Sequence, residues 1–175
     1  LVIDQNETDY FVQKEGIVFH CAKSLGDYQL GEPVQGFTYE NKKHQWRIIP
    51  NPPKVLLGHY QLCTVTDVRR DLGVFVDIGL LDKDIVVSLD ELPDMHALWP
   101  KTGDRLMITV IRDELGRLWG ILAEDHYFTA LAQKAPESVR NQNLEALVYR
   151  TKKVGTYLIT KERYLAFLHP SERSS

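Results

Sequence analysis

Gly73-Val-Phe-Val-Asp-Ile78 decides the fold. Strand side chains alternate between two faces, so Val74, Val76 and Ile78 share one face while Phe75 and Asp77 share the other. The aliphatic face belongs in a core, and the opposite face carries an aromatic ring toward water. Working outward, Gly58 precedes the run Thr64-Val-Thr-Asp-Val-Arg-Arg70, and Ile85-Val-Val-Ser88 follows. Gly103-Asp104 then opens Leu106 to Ile111, which ends at the turn Asp113-Glu-Leu-Gly-Arg117. Short strands punctuated by glycine and aspartate turns read as one small five-stranded barrel. Echoes of the pattern at Tyr10-Phe-Val-Gln13 and Gly155-Thr-Tyr-Leu-Ile159 predict that the barrel is repeated along the chain.

The repeats divide the chain. Strands near Leu1 to Ile3, Tyr10 to Gln13, Ile17 to Cys21, Pro33 to Tyr39 and Trp46 to Ile49 make a first unit over residues 1–54, and Pro50-Asn-Pro-Pro53 is a stiff connector that cannot pair inside a sheet. The second unit spans 55–124, with a helical turn expected between Asp90 and Trp99 and Trp99 plugging one barrel end. Residues 125–142 form a helical linker in which Tyr127, Phe128 and Leu131 share a face and Pro136 is the stop. An incomplete third barrel takes 143–175, with strands near Ala146 to Arg150, Gly155 to Thr160 and Tyr164 to Leu168. Its unpaired edges call for a partner, either another copy by strand exchange or further sequence, and the chain reads as a piece of a longer protein.

At 43% hydrophobic and 26% charged residues the chain is globular rather than disordered. No apolar run approaches the roughly 20 residues of a membrane helix, and the start does not resemble a signal peptide, so a cytoplasmic address is expected. Cys21 and Cys63 stand in no ligand-like spacing and read as small buried apolar residues. The net charge of -3 argues against a general polyanion binder, yet it hides a gradient. Residues 58–124 carry seven basic against twelve acidic side chains, and 140–175 carry seven against three. A polyanion is therefore expected at the C-terminal end.

Enzyme signatures are missing: there is no Walker glycine loop, no nucleophile elbow and no His-Glu-x-x-His. His20, His44, His59, His96 and His126 are scattered and make no metal set. Asp77, Asp82 and Asp84 read as a solvated loop. Neither catalysis nor a cofactor is assigned. Trp46, Trp99 and Trp119 read as core or barrel-end residues.

With these residues in view, the second unit resembles the S-one RNA-binding domain, an OB-fold barrel. Gly58, Leu72-Gly-Val-Phe-Val76, Ile85 to Leu92, Gly103-Asp104 and Asp113-Glu-Leu-Gly-Arg117 carry the likeness, with Leu72 standing where the family often has a first aromatic and Ser88 where it often has histidine. The resemblance implies an all-β fold of tandem five-stranded OB-type barrels with a short linker helix. Longer phrases, Val65-Thr-Asp-Val-Arg-Arg-Asp-Leu-Gly-Val-Phe-Val-Asp-Ile-Gly79, Ile85-Val-Val-Ser-Leu-Asp-Glu-Leu-Pro93, Leu98-Trp-Pro-Lys101 and His169-Pro-Ser-Glu-Arg173, resemble the bacterial conserved virulence factor B family. That likeness implies three such barrels followed by a winged-helix domain, RNA binding, and an influence on the expression of virulence genes.

The candidate site residues follow from both readings. Phe75, Asp113 and Arg117 match the barrel family's pattern; Arg69 and Arg70 are added from charge and position. Phe11 and Tyr157 align with Phe75, and His169 recovers the histidine that Ser88 lacks. Lys152, Lys153, Arg150 and Arg163, interleaved with Tyr149, Tyr157 and Tyr164, combine charge with flat rings, as single-stranded RNA binding requires. Bland readings stand beside these: Phe75 covered by a neighbouring unit, Arg70 and Arg117 as solvated charges, His169 closing a turn. The expected partner is single-stranded RNA. The rivals are a protein partner docked on the acidic second barrel and an accessory portion of a ribonuclease.

Overall fold

The computed structural model describes residues 1–51, 57–80 and 82–173. Part of the Pro50 to Pro53 connector, residues 52 and 53, lies outside the described residues. The first sheet comprises β1 (Val2–Gln5), β2 (Asp9–Lys14), β3 (Ile17–Ala22), β4 (Phe37–Glu40) and β5 (Trp46–Ile49), in the order β1-β2-β3-β5-β4. The second comprises β6 (Gln61–Arg69), β7 (Gly73–Asp77), β8 (Ile85–Ser88), β9 (Arg105–Arg112) and β10 (Leu118–Leu122), and it closes into a barrel. Helix α1 (Asp125–Leu131) leads to a three-stranded sheet of β11 (Ala146–Lys152), β12 (Gly155–Thr160) and β13 (Leu165–Leu168).

Counted from its own first strand, each sheet follows one order, 1-2-3-5-4, with the third sheet supplying strands one to three. Only the middle sheet adds the pair between strands one and four, β6 with β9, that closes the barrel. In the first sheet the seam stays open. A loop covers it instead: the Val2 amide donates to the Glu32 carbonyl at 2.9 Å and the Gly31 amide to the Val2 carbonyl at 2.8 Å. The five-stranded barrel expected there is thus present in strand order but not in closure, because β1 and β4 are only four residues each and β1 is bulged at Val2/Asp4.

The alternation in β7 is realised: Val74 and Val76 are fully buried and Phe75 half-buried on the other face. Val65, Ile85, Val87, Ile108 and Val110 complete a barrel interior with almost no solvent contact. Each such side chain contributes roughly 1.5–3 kcal/mol through burial. Gly73, which opens β7 at φ 130°, is required twice over, since a Cβ there would lie 2.0 Å from the Val87 carbonyl oxygen. Trp99 plugs the barrel end reached by the last residue of β8, donating its indole N–H to the Pro93 carbonyl at 2.6 Å.

The opposite end is stopped by the first sheet. Tyr39 is buried in the barrel's own core cluster, and Phe37 and Ile49 pack against it. This corrects the reading of the acidic run. Asp82 is no solvated loop residue, because it accepts from the Tyr39 hydroxyl at 2.5 Å and from the Asn41 amide at 3.0 Å. Lys83 donates to the Glu40 carbonyl at 2.6 Å, and Arg112 to the Thr38 carbonyl at 2.8 Å. Loss of water pushes the Lys83 ammonium down and the Tyr39 phenol up. The two cysteines are free and buried, with the Cys63 thiol raised to about 11 by burial.

Candidate nucleic-acid interface

Pairing register lines up one side chain per strand across the barrel's outer face: Asp67, Phe75, Val86, Trp119 and Ile111. Phe75, Val86 and Trp119 are half-buried and Ile111 is exposed. Trp119 is therefore not a core residue, contrary to its sequence reading. The signal was available in Leu118-Trp-Gly-Ile-Leu122, where alternation with buried Leu118 and Leu122 turns Trp119 outward.

Asp113, carried over as a binding candidate, spends its acceptors inside the β9–β10 hairpin. Its Oδ1 takes the amides of Leu115 and Arg117, each at 2.9 Å; its Oδ2 takes the Trp119 indole N–H at 3.0 Å and Arg117 Nε at 2.7 Å. The Trp119 hydrogen bond, joined by those from Arg117, draws the carboxyl down to about 2. Its role is to position: the Arg117 guanidinium sits 5.6 Å from the centre of the Trp119 ring. Arg69 is paired with Asp71 at 3.0 Å. Arg70 is exposed and has no carboxylate within ion-pair distance among the described residues.

The equivalent row of the first sheet runs Asp4, Phe11, His20, Arg47 and Tyr39. Phe11 and His20 meet nearly at right angles, 5.0 Å apart. Arg47 is held by Asp9 at 3.1 Å. In the third sheet the row is Arg150, Tyr157 and Phe167, with Tyr157 and Phe167 5.2 Å apart at 66°. Lys152 lies 5.1 Å from the Tyr157 ring centre, and Lys153 is exposed on the turn beyond it. Thus the structure brings Lys152, Arg150 and Tyr157 together, and likewise Asp113 and Arg117, whereas Phe11, Phe75 and Tyr157 stand on three separate sheets. His169 closes a turn, its Nδ1 meeting the Ser171 hydroxyl at 2.8 Å.

One residue of this surface had no signal in the sequence. Asp125, in the first turn of α1, reaches Arg150 at 3.2 Å and Lys152 at 2.9 Å, and its carboxyl is held below the usual range, first by Lys152 and then by Arg150. The same helix docks by stacking buried Phe128 on Tyr149 at 4.0 Å. Between the Trp99 end of the barrel and β11 lies a cleft of about 410 Å³, walled by Leu92, Trp99, Leu106, Leu122, Leu147 and Val148. Among the described residues, no group of three or more His, Cys, Asp or Glu side chains could hold a metal ion, and no helix is long and apolar enough to cross a membrane.

A closed barrel of order 1-2-3-5-4, preceded by a sheet of that order and followed by three strands in the order of its first three, defines a tandem S1-like protein. The model for the CvfB first S1-like domain matches residues 60–121, and that for the second domain of virulence regulatory factor CvfB matches 128–175. The chain belongs to the conserved virulence factor B family. The family's first S1-like domain is the second sheet system along this chain. Conserved virulence factor B of Staphylococcus epidermidis is 32% identical over 148 residues, which is 84% of this chain and 49% of that protein. The uncharacterized protein YitL of Bacillus subtilis is 30% identical over 171 residues, 97% of this chain and 57% of the relative. The chain thus spans about half the length of these curated relatives. A crystal structure from Streptococcus pneumoniae, described as a multidomain protein with nucleic acid binding domains, is 45% identical, with a TM-score of 0.87 over 100% of this chain and 62% of the other.

Proposed function

We propose that this protein binds single-stranded RNA and acts in the bacterial cytoplasm as a post-transcriptional regulator, virulence genes among its targets, with no reaction of its own. The observation that carries the reading is the third-sheet cluster, where Lys152 lies over the half-buried ring of Tyr157, Arg150 is its cross-strand partner, Lys153 is exposed on the next turn, and the exposed ring of Phe167 stands on the other side of Tyr157. Flat faces stack on unpaired bases while neighbouring cations meet phosphate. Family membership supports it, as does the excess of basic residues from 140 onward. The acidic barrel is the weaker surface: Phe75 and Arg70 offer a ring and a free cation, but twelve acidic residues repel phosphate. Residues 1–54, 55–124 and 143–175 serve as three units, the last two joined through 125–142, each presenting its own ring. A filter-binding titration of labelled poly(U), repeated across salt and against a duplex competitor, tests the reading. Binding that weakens with salt and resists the duplex is expected; no binding at low salt refutes it.

A further inference from the structure

In all three sheets, the cross-strand row through the position equivalent to Phe75 carries a second ring. In the first sheet that ring is His20 on strand three, and in the third it is Phe167, also on strand three. In the barrel, strand three offers Val86 at this place, and the ring appears one strand further along as Trp119 on strand five. The row is thereby Phe75, Val86, Trp119, an apolar platform two strand spacings wide, about 9.5 Å. From this recurrence we infer that His20, Trp119 and Phe167 are the second base-stacking residues of their sheets, so that each sheet seats two unpaired bases rather than one. The inference rests on the RNA-binding reading above and adds residues to it.

Three features favour a ligand role over simple cross-strand stabilisation. Phe167 is 52% exposed, so its ring is open to a ligand. Its seat is kept open by a glycine: a Cβ on Gly155 would fall 2.2 Å from Phe167 Cζ, so the tip of the ring rests against the start of β12. Trp119 is oriented from its edge by Asp113 and faced by Arg117, which leaves a cation beside the ring where a phosphate would run. The geometry also selects the strand. The paired rings differ in plane by 76° and 66°, or stand about 9.5 Å apart, and bases resting on both cannot keep the roughly 3.4 Å rise of a stacked strand. Unpaired, splayed nucleotides fit, and a duplex does not.

The test is a fluorescence titration of the full chain with a single-stranded oligouridylate, comparing wild type, Trp119→Leu, Trp119→Phe, Phe167→Leu and Phe167→Tyr, with a thermal melt of each. Leucine stays apolar but cannot stack, so the leucine variants should bind about five- to tenfold more weakly while the aromatic exchanges stay within about twofold. RNA should also quench indole emission in the wild type, and Trp119→Phe should lose that quenching; this readout holds even if a leucine variant melts early. Leucine variants that bind as tightly as wild type, with quenching unchanged in Trp119→Phe, overturn the inference and leave RNA binding through Phe75 and Tyr157 standing. If even wild type fails to bind, the inference falls together with the function it rests on.

Discussion

The carboxylate of Asp125 lies 2.9 Å from the ammonium of Lys152, joining the first turn of α1 to the strand that carries the most basic part of the surface. The pair is half-exposed, at 44% for Lys152 and 49% for Asp125, so its own contribution to stability is small. Its consequence is electrostatic. Asp125 occupies the cations that a phosphate would use, Arg150 included, and phosphate must displace it. Asp125→Asn should therefore bind single-stranded RNA severalfold more tightly and with a steeper dependence on salt, while melting slightly earlier because α1 loses an anchor. Weaker binding by this variant would mean that Asp125 instead holds Lys152 and Arg150 in their binding positions.

Adjacent residues of β7 separate binding from folding. Phe75 points outward, half-buried, and Val76 lies in the barrel interior with no exposure. Phe75→Ala should weaken RNA binding by about tenfold or less with little change in melting temperature. Val76→Ala should do the reverse, costing about 1–3 kcal/mol for the lost methyl groups and the cavity they leave. Paired melting and binding curves check this; a Phe75→Ala protein that melts early and binds normally would make the ring a packing residue.

Much of the fold was legible because strand alternation and turn chemistry are local. Gly73 to Ile78 showed its two faces directly, and the strands of the first sheet fell within a few residues of their sequence assignments. A helix in the 125–142 linker, shorter than expected and confined to Asp125–Leu131, and the plug at Trp99 followed from composition and position. What was not legible depends on contacts between units. Nothing in Leu80 to Asp84 marks Asp82 as the acceptor for Tyr39, 43 residues away, and an acidic loop looks alike whether it is solvated or docked. The open seam of the first sheet likewise depends on the pairing of Val2 with Gly31 and Glu32, a contact that no local pattern marks. At the candidate site the rings could be found one by one, but the rows joining Phe11 to His20 and Tyr157 to Phe167 need register.

That dock between first sheet and barrel yields a stability prediction. Tyr39 is 2% exposed and donates its hydroxyl to the carboxylate of Asp82, which also takes the Asn41 amide. Tyr39→Phe keeps the ring in the barrel's end and removes the charge-assisted bond, at a cost of about 1.5–3 kcal/mol. Asp82→Asn should cost a similar amount, and the double variant less than the sum, since both delete one interaction. Chemical denaturation of the four proteins measures the coupling; strict additivity would show that the hydroxyl and the carboxylate act independently.

The hairpin carboxylate Asp113 supplies a test in pH. Its folded pKa of about 2 lies below the ordinary 3.8, because the charged form accepts from the Trp119 indole and from Arg117. A depressed folded pKa means that the unfolded chain takes up the proton first as pH falls. The stabilisation from Asp113 is then fully present above about pH 4 and is lost progressively as pH drops toward 2. Asp113→Asn should melt earlier than wild type at neutral pH, and the gap between the two should shrink on acidification through that window. The same substitution releases Arg117 and Trp119 from their shared anchor, so RNA affinity should fall with it even at pH 7, where other carboxylates are unchanged. Melting curves from pH 7 to pH 2, with one binding titration at neutral pH, separate the two effects. A gap that stays constant across the window would remove the ionisation of Asp113 from the linkage and assign the cost of the substitution to hydrogen-bond geometry rather than charge.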